Sequence, residues 1–497
     1  MPEDVNSQSS GARGFVYVAA AIVVAAALVS SSLIVAPLEA TRTSTSTITS
    51  TTTSTSVTTA VTTTTLPQVT VTNTIIFPPV TVTSTSYSTL TVTSTVTVTT
   101  TLQLSPCTPF VAPPRIVGAA SSHAVAKEAT ARPSDPMPAT IGTSSEGSAT
   151  NSSSERKILI AAGLIWVFYT DGCNVVYQTS PDGGINWSSP PRVAREGIAR
   201  GWFFTVAQNG TTVYLVVSAS DGSTGGKITL RDGTMNSDGT ITWATAEQDL
   251  PYNGNVATVP TVAVDTAGNV WIAIEDFAGG PNGGRSIHAF KGSGGTWSDM
   301  FDLNGLADFP RPILLALASG KMALEILTES PGQREAAVYT TANGGATWSQ
   351  RVATPPGILT LSSVSVGDTV YSVTAGVYGN VSLWTFAYGG SSFVGPAALA
   401  KCCTEGYDDA TITTDGGSFL FVDYSNSSSV LYETSHDLGK SWTPATAISV
   451  GETNIQPGTL ASNYLTSGLV CIAWTAQNSA VAPAFLVRFA PVSVQLP

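Results

Sequence analysis

Ser435 to Trp442 reads SHDLGKSW, and the pattern Ser-x-Asp-x-Gly-x-x-Trp returns along the chain. It spells a short polar hairpin. The Asp437 carboxylate and Ser435 hydroxyl are placed to accept backbone N–H groups of the turn, and Gly439 gives the backbone the freedom such a turn needs. Trp442 is expected to begin the next strand and to bury its ring between neighbouring sheets.

A second complete copy is SPDGGINW, with Ser180, Asp182, Gly184 and Trp187 in place. A near copy, TANGGATW, carries Asn343 instead of the acid, followed by Gly345 and Trp348. Weaker echoes end at Trp243, with Asp238 in its turn, at Trp297, and in YGGSSF at Phe393. The aromatic positions lie about 45 to 56 residues apart, a period that points to propeller blades.

Between the turns each unit reads as four strands. The third unit has Val259 to Val264, Val270 to Glu275, Ser286 to Lys291 and a strand from Trp297; the fourth and sixth repeat it. Inner strands are continuous apolar runs, as strands covered on both faces are, while outer ones alternate. Six turns and a last unit, Gly458 to Pro491, give seven blades, with six as the alternative. The predicted fold is therefore an all-β propeller of four-stranded antiparallel blades over residues 157–497.

With Lys+Arg 21 against Asp+Glu 33, the net charge is -12, which disfavours a phosphate backbone as partner and so excludes nucleic acid. Only 11% of residues are charged, and the abundance of Gly, Thr, Ser and Val suits many short strands.

Residues 1–13 are polar and read as a cytoplasmic N-terminus. Residues 14–36, GFVYVAAAIVVAAALVSSSLIVA, carry no charge and are long enough to span a bilayer as one helix. Two processing routes stand beside a retained anchor. One is a secretory signal cut near Ala40. The other rests on Arg13-Gly14-Phe15, which resembles the processing site of archaeal type IV prepilin-like proteins, cut after Gly14.

Residues 41–103 are nearly all Thr, Ser and Val and read as an O-glycosylated stalk. Extended at roughly 3.1 Å per residue, it would hold the following domain on the order of 190 Å from the membrane. Residues 104–156 read as an irregular linker, with a strand near Arg115 to Ala119 that could close the last blade from the N-terminal side.

SPDGGINW and SHDLGKSW resemble the Asp-box (BNR) repeat of the sialidase superfamily. In that family the box lies on outer hairpins, away from the axis, so Asp182, Asp437 and the box tryptophans are read as structural. Sialidase chemistry, as the resemblance implies it, needs arginines to grip a substrate carboxylate, a tyrosine nucleophile polarised by a glutamate, and an aspartate as acid/base. Arg156-Lys157-Ile158 stands where the family has Arg-Ile-Pro, without the proline. Tyr407, in EGYDDATIT, loosely matches the nucleophile region. Glu329 and Asp276 complete the catalytic candidates. Arg156, Arg200, Arg311, Tyr252, Glu275 and Asp408 are the substrate-binding candidates, drawn from loops that enter inner strands or join second strands to third.

The three histidines are scattered, so no metal site or cofactor is expected. Five cysteines, 107, 173, 402, 403 and 471, leave at least one outside any pairing within the chain. Sequons at Asn151, Asn186, Asn209, Asn380 and Asn426 suit a glycosylated exterior.

Three functions follow. The first is a single-pass, membrane-tethered propeller outside the cell that binds surface glycans or envelope proteins. The second is a sialidase-like exo-glycosidase. The third is a surface-filament or envelope structural subunit.

Overall fold

The run LIWVFYT at Leu164–Thr170 is buried along its whole length, and its two faces serve different partners. Trp166 and Phe168 pack with Phe204, Val206 and Leu215, whereas Ile165, Val167 and Tyr169 pack with Ile141, Val487 and Phe489. A strand sandwiched this way has no polar face, which is why no alternation shows in its sequence.

A computed structural model of the chain describes residues 138–496, apart from 199, 220–226, 253–256, 277–284, 294, 331–332, 377–379, 401–408, 426–427, 451, 453, 462–467 and 478–484. The predicted membrane segment, stalk and Arg115 to Ala119 strand lie outside the described residues. Among the described residues, no helix is long and apolar enough to cross a membrane.

The strands form seven antiparallel blades. Blade 1 is Ile158–Ala161, Leu164–Thr170, Val175–Ser180 and Arg192–Arg195. Blade 2 is Phe204–Asn209, Thr212–Ala219 and Lys227–Met235, with its outer edge split into Ile241–Trp243 and Gln248–Asp249. Blade 3 begins with Ala257–Val264, Val270–Asp276 and Arg285–Ser293. Its fourth strand runs straight on as the first strand of blade 4 in the single element Thr296–Ala316, followed by Met322–Ser330, Gln333–Thr341 and Val352–Ala353.

Blade 5 is Ile358–Val366, Thr369–Gly376, Val381–Ala387 and Val394–Ala400; blade 6 is Asp409–Thr414, Leu420–Ser425, Ser429–Ser435 and Thr446–Val450. Blade 7 takes Ile455–Ala461, Leu469–Gln477 and Phe485–Ser493 from the C-terminal end and its outer strand, Ala139–Ser144, from the N-terminal side. The ring is thus closed from the N-terminal side, but by Ala139–Ser144, inside the stretch read as linker.

From blade 1 round to blade 7 the first strands of successive blades adjoin one another, and the first strand of blade 1 meets the second strand of blade 7. Seven apolar clusters among the described residues fill the seven blade interfaces, from that of blades 1 and 2 round to that of blades 7 and 1. At about 25 cal/mol per Å² of apolar area removed from water, these faces supply the main stabilisation.

The Ser-x-Asp turns follow one bonding template. In the first, Gly184 N–H donates to Ser180 Oγ (2.8 Å), Asn186 N–H donates to Asp182 Oδ1 (2.8 Å), and the Ser180 hydroxyl donates to Asp182 (2.9 Å). The same three bonds recur at Ser435, Asp437, Gly439 and Ser441. There the Ser441 and Ser435 bonds hold the Asp437 carboxyl down to about 2. Thr341 and Asn343 reproduce the template in the near copy, since an amide oxygen accepts where a carboxylate would.

Each turn glycine is also a docking point. A Cβ on Gly184 would lie 2.3 Å from Phe489 of blade 7, one on Gly345 2.9 Å from Trp271 of blade 3, and one on Gly439 2.4 Å from Leu383 of blade 5. Every such turn therefore packs on the blade that precedes it in the ring.

The tryptophans differ from expectation in one respect. Trp187 and Trp442 lie within the turns and donate their indole N–H to Gly184 O and Gly439 O; the outer strands begin only at Arg192 and Thr446. Pro190, Pro191 and Pro444 stand between and have no N–H for a ladder.

Candidate functional site

In a blade of this topology the first strand leaves, and the second-to-third connection lies on, one face of the ring; the Ser-x-Asp turns lie on the other. The candidates among the described residues belong to strands and connections of the first face. What occupies the axis there is the chain itself.

Residues 150–157, TNSSSERK, run from blade 7 to the start of blade 1 and bond to most of the ring. Thr150 N–H donates to Thr475 Oγ1 of blade 7 (3.2 Å), Ser152 Oγ accepts from Arg311 of blade 4 (3.2 Å), and the Ser153 hydroxyl donates to Leu361 O of blade 5 (3.4 Å). Arg156 N–H donates to Thr205 of blade 2 (3.1 Å). Its guanidinium Nη2 reaches across to Ser363 O of blade 5 and Ile412 O of blade 6, both at 2.9 Å. One arginine thus ties three blades.

Glu155 and Lys157 flank that arginine as a buried pair, Nζ to Oε2 2.6 Å. The carboxylate also accepts from Ser152 N–H (2.8 Å), while the ammonium donates to Asn151 O (2.6 Å) and stands 4.4 Å from the Phe204 ring centre. Burial pushes Glu155 up to about 7 against the pull of Lys157, and pushes Lys157 down. Such a pair is worth keeping only when further hydrogen bonds compensate its desolvation, and here each partner has one.

Around this segment, second strands contribute buried acids. Glu275 of blade 3 accepts from Thr258 (2.7 Å) and is ion-paired with Arg285. Burial raises it, with Thr258, Arg285 and Arg311 opposing. Glu325 of blade 4 is held by the hydroxyls of Ser363 and Ser372 of blade 5, and burial pushes it up to about 7. Asp423 of blade 6 accepts from Thr411 and is likewise raised to about 7, by burial first and by neighbouring Asp409, against the pull of Thr411 and Arg156.

The sequence-derived candidates divide into groups. Arg156, Arg311 and Glu275 gather at the axis. Asp276 does not join them, because successive strand residues face opposite ways. It lies instead between blades 2 and 3, against Tyr252 and 3.8 Å from His288, whose other ring nitrogen stands 3.7 Å from Asp299 and 3.8 Å from Asp302. The Tyr252 ring meets His288 edge-on at 6.0 Å. Burial and Asp276 both raise the tyrosine hydroxyl.

Arg200 stacks over Trp202 at 5.1 Å. Glu329 occupies Met322–Ser330, in register with Ala307 and Arg334. Tyr407 and Asp408 lie outside the described residues, immediately before Asp409–Thr414. Cys173 is disulfide-bonded, and Cys471 is a buried free thiol raised by burial. Cys107, Cys402 and Cys403 are outside the described residues. Among the described residues, no cluster of His, Cys, Asp and Glu is arranged to hold a metal ion.

Glu155, Lys157, Arg285, Glu325 and Asp423 were not among the sequence candidates. For Glu325 and Asp423 the available signal was an acid interrupting an apolar strand, in MALEIL and LFVDY.

Ring, axis and turns define a seven-bladed β-propeller whose centre is crossed by its own N-terminal connection. No protein-family model and no curated protein matches the chain. Several solved structures are similar at low identity. A Hadza microbial sialidase is similar at 13% identity over 65% of this chain and 74% of that one, with a TM-score of 0.43. An ulvan lyase, one of the polysaccharide lyases, is similar at 10% over 71% and 95%, with a TM-score of 0.49. The Trypanosoma rangeli sialidase in complex with sialic acid is similar at 11% over 67% and 53%, with a TM-score of 0.38. Likeness at this level carries no argument about function, which has to be argued from the site.

Proposed function

We propose that this chain is a membrane-tethered cell-surface propeller that binds glycans or envelope proteins on the face carrying the inter-blade loops. The Ser-x-Asp turns are then Asp-boxes of the sialidase superfamily, residues 14–36 the anchor and residues 41–103 a glycosylated stalk. The observation that carries the reading is the crossed axis. Arg156 donates to two backbone carbonyls, Arg311 to Ser152, and Glu275 is paired with Arg285. Arginines are the groups a sialidase-like exo-glycosidase would spend on a substrate carboxylate, and internal bonds engage Arg156 and Arg311 instead.

The test uses the full-length chain in detergent on a glycan array and a fluorogenic glycoside panel. Retention of glycans without release of fluorophore is expected. Release that disappears in Tyr407→Phe or Glu329→Gln would establish the exo-glycosidase and overturn the binding reading. Filaments assembled through the N-terminal helix would instead favour the structural subunit.

A further inference from the structure

Arg200, Gly201 and Trp202 lie in the connection from blade 1 to blade 2, on the loop-bearing face. Gly201 seats this stretch on the axial segment. A Cβ there would stand 1.9 Å from Ser148 O and 2.9 Å from Asn151 O, so only glycine lets the chain come this close. Phe203 N–H donates to Arg200 O (3.2 Å) and the Ser218 hydroxyl to Phe203 O (3.3 Å), which fixes the turn. The two side chains flanking Gly201 are left with donors to offer. The Arg200 guanidinium stands over the Trp202 ring at 5.1 Å and has no hydrogen bond or ion pair among the described residues. None of its nitrogens is shut off from solvent, nor is Nε1 of Trp202. The Trp202 ring meets Phe203 edge-on at 6.0 Å. Alone among the ten tryptophans, it is neither buried nor part of an apolar cluster.

We propose that Arg200 and Trp202 form a subsite for an anionic sugar residue, a uronate or a sulfated ring, within an extended polysaccharide. The inference rests on the glycan-binding reading of this face and names the class of glycan. A guanidinium and an indole N–H donate and do not accept, so the ligand has to bring acceptors. A cation without an acid beside it favours anionic ones, and its planar fork fits a carboxylate or a tetrahedral oxyanion through paired bonds. The half-exposed indole next to it offers apolar surface to the C–H face of the ring that carries the acid group. The net charge of -12 does not cancel this attraction, because exposed charges more than about 8 Å away are largely screened at physiological salt.

Calorimetric titration of the full-length chain, in a detergent without a sugar headgroup, uses as probes a galacturonate hexamer, a sulfated maltohexaose, plain maltohexaose and a glutamate hexapeptide. Binding of an anionic sugar at least about 10-fold tighter than maltohexaose is expected, weakening as salt is raised. Which of the two binds tells carboxylate from sulfate. Arg200→Gln should remove the preference and flatten the salt dependence, whereas Trp202→Ala should weaken binding and keep the salt dependence. No binding of either anionic sugar, equal binding of maltohexaose, tighter binding of the peptide, or unchanged affinity in either folded variant would overturn the proposal. The glycan array separates this outcome from failure of the reading beneath it. Glycans retained equally by the parent and by Arg200→Gln remove the subsite and leave binding by the face standing; an array that retains none removes that reading and the subsite with it.

Discussion

Gly184 illustrates how much one residue can be asked to do. Its φ of +96° lies in the left-handed region, and a Cβ there would stand 2.3 Å from the Phe489 ring. The backbone strain costs about 1–2 kcal/mol and the overpacking about 1–3. Gly184→Ala is therefore expected to lower stability by roughly 2–5 kcal/mol in denaturant melts, and a melt equal to the parent's would remove the turn as a docking point. Glu325 makes a prediction of a different kind. Its ordinary value of 4.5 is pushed up to about 7 in the folded chain by burial between two serine hydroxyls. The folded state thus holds a proton that the unfolded chain has lost between pH 4.5 and 7, and Glu325 draws stability down as pH rises through that window. In Glu325→Gln the fall in melting temperature from pH 4.5 to 7 should be shallower than in the parent; an unchanged slope would contradict the assignment.

Among elements, the legible ones carried their own punctuation. The turns at Ser180 and Ser435 were readable because Ser, Asp and Gly at fixed offsets have a local bonding reason. Strands such as Leu164–Thr170 were readable because both faces are covered. Ala139–Ser144 was not, having a single large apolar residue, Ile141, and no turn motif beside it; what makes it a strand is the free edge of Phe485–Ser493. Ile141 is 6% exposed in the interface of blades 7 and 1. Ile141→Asp would place an unpaired carboxylate there and should cost more than about 3 kcal/mol. Chemical denaturation checks it, and a loss below about 1 kcal/mol would mean that the ring does not depend on this closing strand.

For the whole molecule, seven interfaces filled by seven clusters explain why a period in sequence was enough to give the architecture. The centre was a different matter. TNSSSERK is as polar as any solvated linker, and nothing local says that its serines and charges meet partners more than 200 positions away, as Arg156 meets Ser363 and Ile412. Only closure of the ring brings those carbonyls together. Arg156 and Arg311, drawn as candidates by position around the axis, bond there to backbone carbonyls and to Ser152 of the chain itself. Asp276 shows the limit of the same reasoning, since one step along a strand moved it to the far side of the blade.

The claim on which these readings turn is that residues 150–157 are an integral part of the ring. Hydrogen–deuterium exchange of the full-length chain, followed by mass spectrometry of peptides covering that segment, tests it most directly. Protection comparable to the first strands Phe204–Asn209 and Asp409–Thr414 is the predicted result. Exchange as fast as in an exposed loop would mean that the axis stands open, and would return Arg156 and Arg311 to the service of a substrate.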